Sequence, residues 1–351
     1  MRRRSSASRR WARPRRRRSG AFRSEPTTSL NSQDPAVDDL LQRLQSPDAG
    51  VRRVAVLDFA DLEDEALLPA LAGLLRSDPE PALRAEAARA LAGWHDAEVV
   101  DALAAALRDL PEVRAAAAQS LTELKDPQAG ARLLPHAADA DAFVCAAALR
   151  GLKELRVPGA AGPAMAALRH PEAAVRREAV GVLGWLKHAP ALPLLAAAAA
   201  AADDVDAEVR RAAAGALGLA SADAVQGVLP ALCAALRDSA WPVREEAATT
   251  LGKLHAEAAA PALRAAMDDG YWQVRLRAAR SLGRLRDAQA LPVLTEALVH
   301  PAGNLRKEAA IALGEIGDAR AVPALGPAAG DPDPEVRKAV RLALQRLGAP
   351  S

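Results

Sequence analysis

Val-Arg or Leu-Arg followed by a stretch rich in Ala and Leu recurs along this chain, at Arg52, Arg84, Arg114, Arg176, Arg210, Arg244, Arg275, Arg306 and Arg337, with Cys145 where the fourth member should stand. Successive spacings are 32, 30, 31, 31, 34, 34, 31, 31 and 31 residues. A period of this length marks a stack of small units, each burying its apolar side only against its neighbours. That restricts the fold before any single residue is considered.

Within a unit the pattern specifies two helices. Val336, Ala339, Val340, Ala343, Leu344 and Leu347 follow the i, i+3, i+4, i+7 series of one buried stripe. One unit earlier, the first helix runs through Leu305, Ala309, Ile311 and Leu313 to Gly314 and Gly317, where the missing Cβ suits a close helix end. A turn at Asp318 then opens a second helix with Val322 and Leu325. Its early Pro323 recurs as Pro69, Pro193, Pro261 and Pro292, each 17 residues after its unit's arginine. A first helical turn tolerates proline, whereas a position further in is kinked by it.

Nothing in the pattern competes with helices. Alternating β-branched runs with hairpin turns are absent, and the seven alanines 196–202 are strong helix formers. Aromatic residues make up only 3% of the chain, so a core of Leu, Val and Ala is expected, which lets helices approach closely. The expected fold is all-α, an α-solenoid of about ten helix pairs. Asp34-Pro35 opens a helix through Leu40, Leu41 and Leu44 that would cap the front, and the last helix, polar at Lys338, Arg341, Gln345 and Arg346, would cap the back.

A unit of the form DPxxxVRxxAxxALGxLxDxxAxPxLxxAL resembles the short bacterial HEAT repeats also found in phycobilin (PBS) lyase subunits. Segments such as DSAWPVREEAATTLGKL (238–254) and GYWQVRLRAARSLGRL (270–285) carry the likeness, which covers residues 46–348. The resemblance implies a helical superhelix. It does not imply one activity, because function sits on sites rather than on folds.

The arginine itself needs explaining. Arg337 lies in the first turn of a helix whose start is marked by Asp333, Pro334 and Glu335, and a cation there opposes the macrodipole. Aspartates precede most of the arginines, at Asp78, Asp109, Asp139, Asp203, Asp204, Asp238, Asp268, Asp269 and Asp331. Stacked units would bring each guanidinium fork near turn carboxylates or carbonyls of an adjacent unit, making the ladder structural. A positive row flanked by so many acids is a poor phosphate track.

Residues 1–33 read as a disordered Arg-rich tail and 34–348 as the solenoid. The first 24 residues hold eleven arginines and no acid, so the remainder of the chain carries 35 basic against 44 acidic residues. Contact with nucleic acid is therefore expected only through the tail. The opening lacks an apolar signal stretch and no run of 18 apolar residues occurs, so neither export nor membrane spanning is expected. Cys145 and Cys233 form no CxxC, which fits a reducing cytoplasm.

Signs of catalysis are few. HEAT-like solenoids include deoxyhypusine hydroxylase, whose di-iron site uses His-Glu dipeptides, but none of the six histidines here precedes glutamate. A bilin lyase role is the other enzymatic analogy, and no defined catalytic motif supports it. His255 with Glu257 and His95 with Asp96 read as solvated turn residues, while His170 and His300 read as replacements for turn-starting Asp. Cys145 reads as a small buried residue. No cofactor or metal is expected.

A surface remains. Trp241 and Trp272 each lie three residues before a ladder arginine, with Tyr271 beside the second, and Asn304 stands on the next unit. Rings near arginine favour interfaces, so these four residues form the expected partner-binding edge, with gap-filling between units as the competing reading. The expected function is a non-enzymatic scaffold that grips a protein partner; the alternative is an enzyme subunit of the lyase or hydroxylase type.

Overall fold

The computed structural model describes residues 35–200 and 204–349. The Arg-rich segment 1–33 lies outside them, as do Asp34 and Asp203. Among the described residues there are helices and turns but no strand. The first ten helices are α1 (Pro35–Leu44), α2 (Ala49–Leu62), α3 (Leu68–Ser77), α4 (Pro81–Ala90), α5 (Ala97–Ala106), α6 (Pro111–Leu121), α7 (Gly130–Leu133), α8 (Ala142–Leu155), α9 (Ala161–Ala167) and α10 (Ala173–Trp185). Then come α11 (Leu192–Ala199), α12 (Ala207–Ala216), α13 (Val225–Ala235), α14 (Trp241–Lys253), α15 (Ala260–Ala266), α16 (Trp272–Leu285), α17 (Leu291–Ala297), α18 (Gly303–Ile316), α19 (Val322–Ala328) and α20 (Pro334–Arg346).

Even-numbered helices from α2 onward carry the ladder position, and each packs against the next even-numbered helix. Odd-numbered helices from α3 onward form the second row, most of them opened by a 3-10 turn. Pro69, Pro193, Pro261, Pro292 and Pro323 all fall in the first two residues of their helices, where no backbone hydrogen bond is forfeited. Asp64, Asp126, Asp287 and Asp318 cap these turns by accepting a backbone N–H two residues on.

One continuous apolar core runs between the rows. Leu251, Leu282 and Leu313 hold equivalent places in α14, α16 and α18 and are fully buried, so truncating any of them to Ala should cost about 2–5 kcal/mol. The first row packs backbone to backbone through glycine. A Cβ at Gly283 would lie 2.8 Å from Cα of Ala312, and one at Gly314 would lie 2.8 Å from Cα of Ala343. Gly317, with φ +77, ends α18 in the left-handed region that glycine enters without strain.

At the front, α1 buries Val37, Leu40 and Leu44. At the back, α20 buries Val336, Ala339, Val340, Ala343 and Leu344 and turns Lys338, Arg341, Gln345 and Arg346 outward. The alanine run departs from its propensity. α11 stops at Ala199 and Ala200 is already extended (ψ 131), ahead of Asp204, which accepts the fork of Arg176. Tertiary demand overrides helix propensity there.

Candidate functional site

The chain repeats one local geometry at the N-terminal end of six first-row helices. Six ladder arginines present Nε and Nη2 to an aspartate in the turn of the following unit. Arg52 bonds Asp78 at 2.7 and 3.0 Å, Arg84 bonds Asp109 at 2.7 and 2.7 Å, and Arg176 bonds Asp204 at 2.6 and 2.8 Å. Arg210 bonds Asp238 at 2.7 and 2.9 Å, Arg244 bonds Asp269 at 2.6 and 2.9 Å, and Arg306 bonds Asp331 at 2.7 and 2.9 Å.

Nη1 of the same arginine reaches back to the carbonyl six residues earlier in its own turn, as from Arg210 to Asp204 at 3.0 Å; Arg337, at the end of the ladder, does the same to Asp331 at 2.7 Å. The guanidinium thus leaves the positive helix end for acceptors outside it, which answers the macrodipole objection. Asp78, Asp204, Asp238 and Asp331 are each shared: the carboxylate takes the preceding arginine and the carbonyl takes its own. Asp204, Asp238 and Asp331 also accept a backbone N–H two residues on, at 2.8–2.9 Å. Burial alone would raise the Asp238 carboxyl, yet the Arg210 fork and the Ala240 N–H outweigh it and hold the group below the ordinary carboxylate range.

The ladder is interrupted. Arg114 lies over the Phe143 ring, 4.0 Å from its centroid, while Asp139 is taken by Arg108. Cys145 is buried and its thiol donates to the carbonyl of Ala137 at 3.1 Å; burial, then Asp139, pushes that thiol up. Opposite Arg275 the turn offers His300 in place of aspartate, and Arg275 Nε bonds the carbonyl of Asp269 in its own turn. His170 and His300 both accept a backbone N–H at Nδ1, from Glu172 and Ala302 at 3.0 Å, the task performed elsewhere by Asp Oδ1.

A second set of ion pairs, not foreseen from the sequence, joins the first-row helices one turn further in. Glu178 takes Arg150 and Lys153, and Glu308 takes Arg280 at 2.8 and 2.6 Å. Both glutamates are buried. Their signal was the acid two residues after a ladder arginine, facing a basic residue five places after the preceding ladder position.

Rings gather at the ladder edge of two units. Trp241, the first residue of α14, stacks on Tyr271, the N-cap of α16, with centroids 5.4 Å apart and planes inclined by 17°. Tyr271 remains 47% exposed, and the Arg244 guanidinium lies 5.7 Å from its ring centroid. Trp272 is half-buried against the core, and Asn304 is exposed in the first turn of α18. The ring pair is therefore Trp241 with Tyr271, an N1 position with the following N-cap.

His95 and His255 are exposed at turns. Among the described residues, no group of three or more His, Cys, Asp or Glu is placed to hold a metal ion. Nor is any described helix long and apolar enough to cross a membrane.

Comparison with known proteins agrees with this geometry. The family model for HEAT repeats matches residues 37–122, 68–153, 131–218, 196–272 and 265–345. No curated protein matches the chain. Among solved structures, an engineered protein from a structural genomics consortium is 22% identical, with TM-score 0.51 over 90% of this chain and 99% of its own. YibA of E. coli is 21% identical, with TM-score 0.54 over 71% of this chain and 92% of its own. A chain in the structure of Kap95p bound to RanGDP is 15% identical, with TM-score 0.59 over 88% of this chain and 49% of its own. At such identities the likeness speaks for the fold alone. Family matches spanning residues 37–345 and a ladder repeated from α2 to α20 lead to one assignment: the chain belongs to the HEAT-repeat family.

Proposed function

We propose that the chain is a non-enzymatic scaffold that binds a protein partner, with residues 34–348 acting as one solenoid of the short PBS lyase type. In this reading the arginine ladder is structural. It sets the spacing between units, and the edge formed by Trp241, Tyr271, Trp272 and Asn304 meets the partner. Free thiols at Cys145 and Cys233 agree with a bacterial cytoplasm as the setting.

The observation that carries this reading is the Trp241–Tyr271 stack. Ring area is scarce in a chain with one tyrosine and five tryptophans, yet nearly half of Tyr271 faces solvent beside Arg244. Packing alone gives no reason to leave it there, whereas aromatic and arginine side chains together dominate binding energy at interfaces. A solenoid of similar fold occurs in the structure of Kap95p with RanGDP, which is in keeping with this use of the architecture.

The test is affinity capture with the full chain and with Trp241→Ser/Tyr271→Ser. The scaffold reading expects the captured partner to be lost from the variant while the helical circular dichroism signal stays. Retained capture contradicts the ring edge, and stoichiometric iron or a bound chromophore in purified protein contradicts the non-enzymatic role.

A further inference from the structure

First-row helices end on the edge opposite the ladder, and there α16, α18, α20 and the turn after α14 border an open cleft of about 420 Å³. His255, Arg284, Arg286 and Arg346 line it together with Glu315, over a floor of Gly283 and Gly314. The floor is bare because close packing with Ala312 and Ala343 admits no Cβ at either glycine.

The basic groups here differ from the other arginines of these helices. Arg277 is paired with Glu245 and Arg280 with Glu308. Arg284, Arg286 and Arg346 are exposed, and among the described residues none has a carboxylate within ion-pair distance. Three guanidinium groups and an imidazole thus share one cleft with a single glutamate.

The turn that ends a first-row helix brings two of these residues to the cleft. His255 and Arg286 follow α14 and α16 with φ +49 and +51, a left-handed state that strains an L side chain; the last two units use Gly317 and Gly348 at this place, with φ +77 and +70. A cation near a helix C-terminus is favourable, but Arg284 supplies one from ordinary helical backbone. Glu63, Arg156 and Lys187 take the same left-handed state in other units, with φ +48, +54 and +50. The left-handed turn is thus a feature of the repeat, and what sets this place apart is that His255 and Arg286 line the cleft.

We propose that this cleft binds an acidic segment of a protein partner, with side-chain carboxylates held by Arg284, Arg286 and Arg346. Guanidinium forks match carboxylate geometry. A nucleic-acid strand fits less well, because it needs a continuous cationic track, whereas Glu315 lies within the cleft and Asp287 and Asp318 follow the helix ends beside it. The inference names the partner's chemistry and so rests on the scaffold reading, but its test uses a synthetic peptide and does not depend on the ring edge.

Fluorescein-labelled octaglutamate is titrated into the full chain, into Arg284→Ala/Arg346→Ala and into Arg286→Gly, with fluorescence anisotropy and the His255 imidazole proton resonance as readouts. All three carry the same Arg-rich tail, and the His255 resonance reports on the cleft itself. The double variant is expected to bind about tenfold more weakly or worse, with the His255 shift lost. Arg286→Gly is expected to weaken binding while raising the thermal midpoint, a combination that a merely structural residue does not give. An unmoved His255 resonance in the wild type, or a lowered midpoint in Arg286→Gly, overturns the proposal. So does a single-stranded oligonucleotide of equal charge that displaces the peptide and shifts His255 more strongly.

Discussion

Arg210 and Asp238, 28 residues apart in successive repeats, meet fork to carboxylate at 2.7 and 2.9 Å with both side chains almost sealed from solvent. Asp238 then passes the connection on, since its carbonyl accepts Arg244 Nη1 at 2.7 Å and Arg244 bonds Asp269. Four turns are linked in this way from Arg176 to Arg275. The net contribution of a buried charge pair is small because desolvation offsets its Coulomb attraction, but removing one member leaves an uncompensated ion and is severe. On the proposed structural reading of the ladder, such a link sets the register between units more than it adds stability.

Acid should loosen the stack. Asp109 and Asp331 are held below the ordinary carboxylate range chiefly by the Arg84 and Arg306 forks, and Asp204, Asp238 and Asp269 are held there against the opposing effect of burial. A folded-state pKa below the unfolded one gives stability that is present above the ordinary carboxylate pKa and lost as pH falls through the folded values. Thermal midpoints should therefore show no ladder-dependent change near neutrality and should drop below about pH 4. Asp238→Asn should flatten that drop.

His300→Asp should complete an interrupted rung by giving Arg275 a carboxylate. Burial, then Arg275 and Arg306, lowers the imidazole of His300. Its contribution is present above the ordinary histidine pKa, about 6.5, and is lost as pH falls through the lower folded value. The variant should gain about 1–3 kcal/mol at neutral pH and lose that mildly acidic dependence, as measured by urea unfolding at several pH values.

Glycine substitutions should divide by place. Gly314→Ala sets a Cβ 2.8 Å from the Ala343 backbone and should cost about 1–3 kcal/mol, whereas Gly326→Ala, with no atom within 4 Å, should stabilise by about 0.4–1 kcal/mol. Paired chemical denaturation measures both.

The fold is legible because each unit restates it: the arginine spacing, the early prolines and the apolar stripe of α20 all agree with one another. Less of the site can be read. Aspartates before the arginines are visible, but not that one aspartate serves the preceding arginine through its carboxylate and its own through its carbonyl, since that depends on the stacking offset. Arg114 shows the limit: whether Asp139 goes to Arg114 or Arg108 is decided by side-chain reach across units. His255 reads from sequence as a solvated turn because the arginines that share its cleft lie 29 or more residues away along the chain. Left-handed backbone at His255 and Arg286 has no signature beyond a missing glycine.

Amide hydrogen exchange in Arg210→Ala reads out whether the forks hold the units in register. Loss of the fork leaves Asp238 buried without its cation and should cost about 3–5 kcal/mol. Protection is predicted to fall at the junction of α12 and α14, while Arg275→Ala, whose turn lacks the partner aspartate, changes far less. Equal, small effects from the two substitutions, with protection at that junction unchanged, would contradict a ladder that holds the units in register.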